Sequence, residues 1–234
     1  MAVRWPPTPR RGWRRALARG GCSLLAALPA WALACTATPL TREATSQDIG
    51  AFVRSQGMAV LTFVGFSGAG YEDEAALRAA AEQVLARHDP AKTMVNIGGT
   101  AAGIGAVYAL AKARGFVTLG IVSTLARDGG EALSPCVDQV FFVRDTTWGG
   151  RLPGSTRLAP TSAAIVANSR ELVGIGGGEV ARDELRAARA AGKPARFVPA
   201  DMNHQLARDK ARARGQAEPT DFRGASHTAF VDKP

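Results

Sequence analysis

From residue 58 onward, short and almost uniformly apolar runs alternate with longer segments whose apolar residues recur at helical spacing. Residues 58–66 (MAVLTFVGF) form the first run, and residues 93–97, 116–122, 137–143, 171–175 and 195–198 read as further strands. Strands without polar alternation are buried on both faces, which restricts such a chain to a parallel sheet covered by helices. The segment 71–88 places Ala76, Leu77, Ala80, Ala81, Val84 and Leu85 on one stripe. Glu72, Asp73 and Glu74 stand in its first turn, where the helix dipole favours negative charge, and Asp89-Pro90 stops it. Helices over 106–114, 161–168 and 179–191 separate the later strands. The expected fold class is α/β, a Rossmann-like doubly wound and mainly parallel sheet in a single domain over residues 58–200. Residues 201–234 read as a polar C-terminal tail, helical or loose, and 36–57 as a linker with a short helix.

Charge matters here because of where it sits. The 234 residues carry 29 Lys+Arg against 20 Asp+Glu, a net +9 that would suggest a nucleic-acid partner. Six of those nine net charges belong to Arg4, Arg10, Arg11, Arg14, Arg15 and Arg19, in a leader of residues 1–35 that contains no acid. No aromatic-interleaved basic patch remains beyond it, so no nucleic-acid partner is expected. The leader continues into an uncharged stretch of about 15 residues, shorter than the roughly 20 that span a bilayer. With Ala32 and Ala34 spaced A-x-A, it reads as a signal peptide. Residues 32–35 (ALAC) also resemble a bacterial lipoprotein box, which makes Cys35 a candidate lipidation site. The protein is then exported, either periplasmic or held at the membrane only by that lipid anchor. The alternative is translation from Met58, which would leave a cytoplasmic protein.

Three glycine clusters follow strands and precede helices: Ser67-Gly68-Ala69-Gly70, Gly98 to Gly105, and Gly176-Gly177-Gly178. In an open parallel sheet the carboxyl ends of the strands share one edge, so such loops can converge there. Free N–H groups at helix starts attract phosphate or carboxylate. Residues 99–105 imitate the G-x-x-x-G-x-G loop of short-chain dehydrogenases, and Tyr108 with Lys112 spells their Y-x-x-x-K. That pair lies on the very helix the glycines open, the loop follows the second strand, and no acid closes the third strand. A dehydrogenase is therefore disfavoured.

An apolar strand ending in F-S-G, a second strand running into GGTAAGIG, a third reading VTLGIV and a later one meeting GIGGGEVARDEL together resemble the SLOG superfamily. It includes the Lonely Guy phosphoribohydrolases, often labelled lysine-decarboxylase-like, and DNA-processing protein A. The resemblance covers residues 58–200. It implies that Ser67, Gly68, Gly98, Gly99, Thr100, Gly103, Gly176, Gly177, Gly178 and Glu179 bind a nucleotide-derived or other phosphate-bearing ligand, with Glu179 and Glu184 on sugar hydroxyls. The hydrolases carry P-G-G-x-G-T-x-x-E and an upstream Arg-Lys pair. Here Ile175 replaces the proline, Glu179 the third glycine and Val180 the threonine, while Asp183 aligns with the glutamate and Glu184 follows. Arg151 and Arg157 stand upstream without an adjacent lysine.

Two alternatives stay open beside ligand binding. One is a hydrolase cleaving nucleoside monophosphates, with Glu184, Asp183 and Arg151 as candidate catalytic groups. The other is a scaffold without ligand. The resembled enzymes assemble as dimers or larger, which makes a homodimer an expectation. No cofactor is expected, and His88, His204 and His227 are too scattered for a metal site. Cys136 reads as a buried small hydrophobe, and Trp148, beside two glycines in a long loop, as a residue that either covers a base or packs on its own domain.

Overall fold

The computed structural model of the chain describes Cys35 and residues 38–232. Strand β2 (Ala59–Gly65) lies inside a seven-stranded sheet. Leu61 and Phe63 enter the apolar layer on one face of the sheet, Val60 and Val64 the layer on the other. Both sides are buried, so this strand has no polar alternation. β2 pairs in parallel with β3 (Thr93–Asn96) on one side and β6 (Glu171–Ile175) on the other. Beyond β3 come β4 (Val117–Ser123), β5 (Gln139–Val143) and β1 (Leu40–Glu43); beyond β6 comes β7 (Ala195–Val198). All six pairings are parallel.

Helices α2 (Glu74–Leu85) and α3 (Val107–Ala113) bury Leu77, Ala81, Val107 and Ala111 on one face. Helices α1 (Ser46–Ser55), α5 (Pro160–Asn168) and α6 (Glu179–Ala190) bury Ile49, Ile165 and Leu185 on the other. The fold is thus a Rossmann-like, doubly wound parallel sheet. β2 hands the chain to α2 on one face and its neighbour β6 hands it to α6 on the other, so a switch point opens between their carboxyl ends. Local chemistry sets the helix starts: Asp73 accepts the Ala76 amide at 2.8 Å, and Thr45 with Asp48 forms a capping box.

The linker and the tail both prove more structured than their composition suggests. Residues 40–43 form the edge strand beside β5, and α1 covers the sheet with Ile49 fully buried. Residues 204–213 form α7 (His204–Ala213), followed by the short α8 (Gly224–His227) and a wide helical turn, Thr228–Asp232. This segment folds back over the carboxyl edge of the sheet and buries Phe222, Ser226 and Ala229. A short helix α4 (Thr124–Asp128) occupies the start of the loop between β4 and β5.

The cysteines need a larger correction. Cys136 is buried, but as the partner of Cys35 in a disulfide. A sulfur engaged in that bond is not available for the thioether of a lipoprotein, so the disulfide and lipidation of Cys35 are mutually exclusive. Residues 1–34, which hold the expected signal peptide, lie outside the described residues.

Candidate functional site

Gly65 ends β2 where Tyr71 reaches across the edge of the sheet. The Tyr71 hydroxyl accepts the Phe66 amide at 3.0 Å and donates to the Ile175 carbonyl at 2.7 Å, which ties the first glycine loop to the end of β6. The second loop lies directly on the first. Gly103 has φ +57°, and a β-carbon there would collide with the Phe66 and Ser67 carbonyls. Its glycine serves close packing of one loop on another.

Several amides of the second loop have internal partners. The buried Tyr108 hydroxyl accepts from Ile97 N at 3.1 Å and Gly99 N at 3.0 Å, and donates to the Leu119 carbonyl. Asn96 Oδ1 accepts from Ile121 N at 3.0 Å and, at 3.5 Å, from Gly98 N. Thr100 Oγ1 accepts the Ala102 amide at 3.1 Å. The Gly99 amide is therefore not free to cradle an anion, and the Gly98 amide lies at the limit of hydrogen-bond distance from Asn96 Oδ1.

Above these loops opens a cavity of 670 Å³, lined in part by Ser67, Gly68, Thr100, Trp148, Glu184 and Lys210. It also receives Gly98, Gly99, Val180 and Arg214. It sits at the carboxyl ends of β2, β3 and β4, beside the switch point. A shallower depression of 440 Å³ lies far along the sheet, between Arg42, Asp48 and Phe52. Among the described residues no cluster of three or more His, Cys, Asp or Glu side chains is arranged to hold a metal ion.

Glu184 is the buried acid of this cavity, 3% exposed. Ser162 Oγ donates to its Oε1 at 2.6 Å, and Gly150 N donates to Ser162 Oγ at 2.7 Å. Burial pushes the Glu184 carboxyl up to about 7; the Ser162 hydrogen bond opposes that rise and the Asp183 charge adds to it. The loop bearing Gly149 and Gly150 is anchored by Asp145, which accepts from Thr147 N and Thr161 N, each at 2.8 Å. Burial raises the Asp145 pKa, but these bonds outweigh it and hold the carboxyl below its usual range.

Asp183, though adjacent in sequence, turns away from the cavity. Its carboxylate pairs with Arg182 at 2.9 Å and Arg151 at 4.0 Å. Arg157 lies exposed on the same hairpin as Arg151, where Arg151 bridges to Leu158. Of the three catalytic candidates, therefore, only Glu184 faces the cavity.

The third glycine loop is also displaced from its expected role. The Ser226 amide donates to the Gly177 carbonyl at 3.0 Å, and its hydroxyl to the Gly178 carbonyl at 3.2 Å. Gly176 N donates to the Val198 carbonyl at 2.9 Å. Gly176, Gly177 and Gly178 thus sit beneath the C-terminal turn, and exposed Glu179 pairs with Arg182 at 3.4 Å. Only Val180, Ala181 and Glu184 bring α6 to the cavity. Ser162, Asn96, Lys210 and Arg214 went unmarked in sequence. The i, i+4 spacing of the last two was the one available signal.

No protein-family model matches the chain, and no curated protein sequence matches it. Among solved structures, the chain is similar to TM1055, a structural-genomics target, at 22% identity and TM-score 0.43 over 59% of this chain and 72% of that one. It is also similar to a Moco carrier protein from Chlamydomonas reinhardtii, at 16% identity and TM-score 0.44 over 68% and 85%. A second structure of a molybdenum cofactor carrier protein from that organism gives 20% identity and TM-score 0.42 over 60% and 76%. The fold stands on the strand order described above, and these similarities add no ligand to it.

Proposed function

We propose that the chain is an exported SLOG-like protein that binds a nucleotide-derived or other phosphate-bearing small molecule in the cavity at the carboxyl edge of its sheet. The observation that carries this reading is the cavity itself. Its 670 Å³ falls among ordinary small-molecule sites, roughly 300–1,000 Å³, and it lies where open parallel sheets hold ligands. Trp148, 55% exposed on its wall, offers a face on which a base can stack. Glu184 offers a carboxyl for a sugar hydroxyl.

Export is supported by the basic and apolar leader together with the Cys35–Cys136 bond, since such bonds persist in oxidising compartments. Translation from Met58 would remove β1, α1 and Cys35, and with them Phe52, whose ring meets that of Phe141 at 5.2 Å. That loss argues against the cytoplasmic alternative.

Glu184 favours a second reading, N-glycosidic hydrolysis of nucleoside monophosphates. With a carboxyl titrating near 7, it can give a proton to the departing base while water adds at the anomeric carbon, releasing free base and ribose 5-phosphate. Thermal shift and calorimetry with AMP, GMP and ribose 5-phosphate test binding, and chromatography of the AMP incubation tests hydrolysis. A rise in melting temperature without released adenine supports the first reading, and released adenine the second. The absence of any shift overturns both and leaves a scaffold.

A further inference from the structure

Helix α7 and its C-cap residue Arg214 carry four Lys and Arg side chains in two pairs. Arg208 pairs with Glu218 at 3.9 Å, and Arg212 pairs with Asp209 and, at 3.6 Å, with Glu218. Lys210 and Arg214 lie between and beyond them, one turn apart, and line the cavity. Among the described residues neither makes an ion pair. The Lys210 ammonium rests on the Gly68 carbonyl, a neutral group of the first glycine loop. The helix therefore pairs Arg208 and Arg212 with acids and leaves without an ion pair, among the described residues, the two cations that line the cavity.

The second loop sharpens the point. Its Gly99 amide is taken by Tyr108 and its Gly98 amide lies 3.5 Å from Asn96 Oδ1, so Lys210 and Arg214 add a positive potential that these two amides do not supply. We propose that Lys210 and Arg214 together hold the anionic group of the ligand, with the Lys210 ammonium exchanging the Gly68 carbonyl for a phosphate oxygen. Segment 203–216 is then part of the binding site. The ligand class narrows to molecules with an exposed, doubly charged phosphate monoester, and the corresponding neutral nucleosides are excluded. Charge-assisted contacts of this kind are the strong ones in partly desolvated sites. The inference rests on the cavity being the ligand site proposed above.

Calorimetry with AMP, adenosine and ribose 5-phosphate tests it on the wild-type protein and on Lys210→Met, Arg214→Gln and Arg212→Gln. Wild type should bind AMP at least tenfold more tightly than adenosine. Lys210→Met and Arg214→Gln should each weaken AMP and ribose 5-phosphate by roughly tenfold, with melting temperatures held. Arg212→Gln removes the same charge from an acid-paired position and should leave the AMP affinity within about twofold. Equal affinity of wild type for AMP and adenosine, or equal losses in all three variants, overturns the clamp while the cavity reading survives. If wild type binds none of the three, the clamp and the proposed function fail together.

Discussion

The Tyr108 hydroxyl lies 3.0 Å from the Gly99 amide and serves three backbone groups at once, since it also accepts from Ile97 N and donates to the Leu119 carbonyl. A tyrosine that imitates a dehydrogenase motif in sequence is the internal fastener of the second glycine loop. Tyr108→Phe keeps the ring and strands the Gly99 amide, while Ile97 N and the Leu119 carbonyl retain only each other at 3.4 Å. A loss of about 1–3 kcal/mol is expected, the range for one buried group left without its partner. Urea denaturation checks it; a loss under 1 kcal/mol would show that the loop satisfies itself without Tyr108.

Glu184 makes stability depend on pH in an unusual direction. Its folded-state pKa of about 7 lies above the ordinary 4.5, so between these values the folded protein holds a proton that the unfolded chain has released. This contribution is complete below about pH 4.5 and is lost as pH rises through about 7. Glu184→Gln keeps an acceptor for Ser162 and should flatten that slope. It should match wild type near pH 4.5 and exceed it at pH 8 by up to a few kcal/mol. Asp145, whose carboxyl is held low, acts only in more acidic solution. Melting temperatures across pH 4.5–8 decide the matter, and parallel curves would refute the assignment.

Cys35 and Cys136 close a loop with a sequence separation of 101 residues. Loop closure on that scale restricts the unfolded chain by about 4–5 kcal/mol in the chain-entropy estimate, and native bridges generally give 2–5. Reducing agent should therefore lower the melting temperature of wild type by many degrees and leave Cys136→Ser unmoved. Mass spectrometry of the mature protein should find the two cysteines linked and no acyl group on Cys35.

Gly224 turns the C-terminal segment onto the third glycine loop at φ +75°. A β-carbon there would stand 2.6 Å from the Gly177 carbonyl and 2.9 Å from the Phe66 ring. Gly224→Ala should destabilise the protein by about 2 kcal/mol or more, from left-handed strain and lost packing. Amide exchange should speed up at Ser226, whose N–H donates to Gly177, while Tyr108 continues to hold the Gly99 amide.

Burial on both faces leaves a local mark, and that mark made most of this architecture readable. Six of the seven strands stand in the sequence as apolar runs, from β2 to β7, and the stripe of Leu77, Ala81 and Val84 identifies α2. The seventh strand, Leu-Thr-Arg-Glu at the sheet edge, is exposed along its whole length and so carries no apolar signature. Glu184 was legible through its place after the glycine loop. Its separation from Asp183 was not, because one step along a helix turns a side chain by about 100° and sends the two carboxyls to different partners.

The amino-acid order by itself determined the doubly wound sheet and the edge where its loops gather, because strand and helix periods are properties of neighbouring residues. Only the tertiary structure decided which groups at that edge remain available. Tyr108 occupies the Gly99 amide of the second loop, Ser226 covers the third, and Lys210 and Arg214 arrive from α7 to face the cavity. Each of those outcomes is a pairing between groups distant along the chain or fixed by side-chain direction. Saturation of a hydrogen bond or an ion pair depends on where the folded backbone brings the partner, and residue spacing carries no record of it.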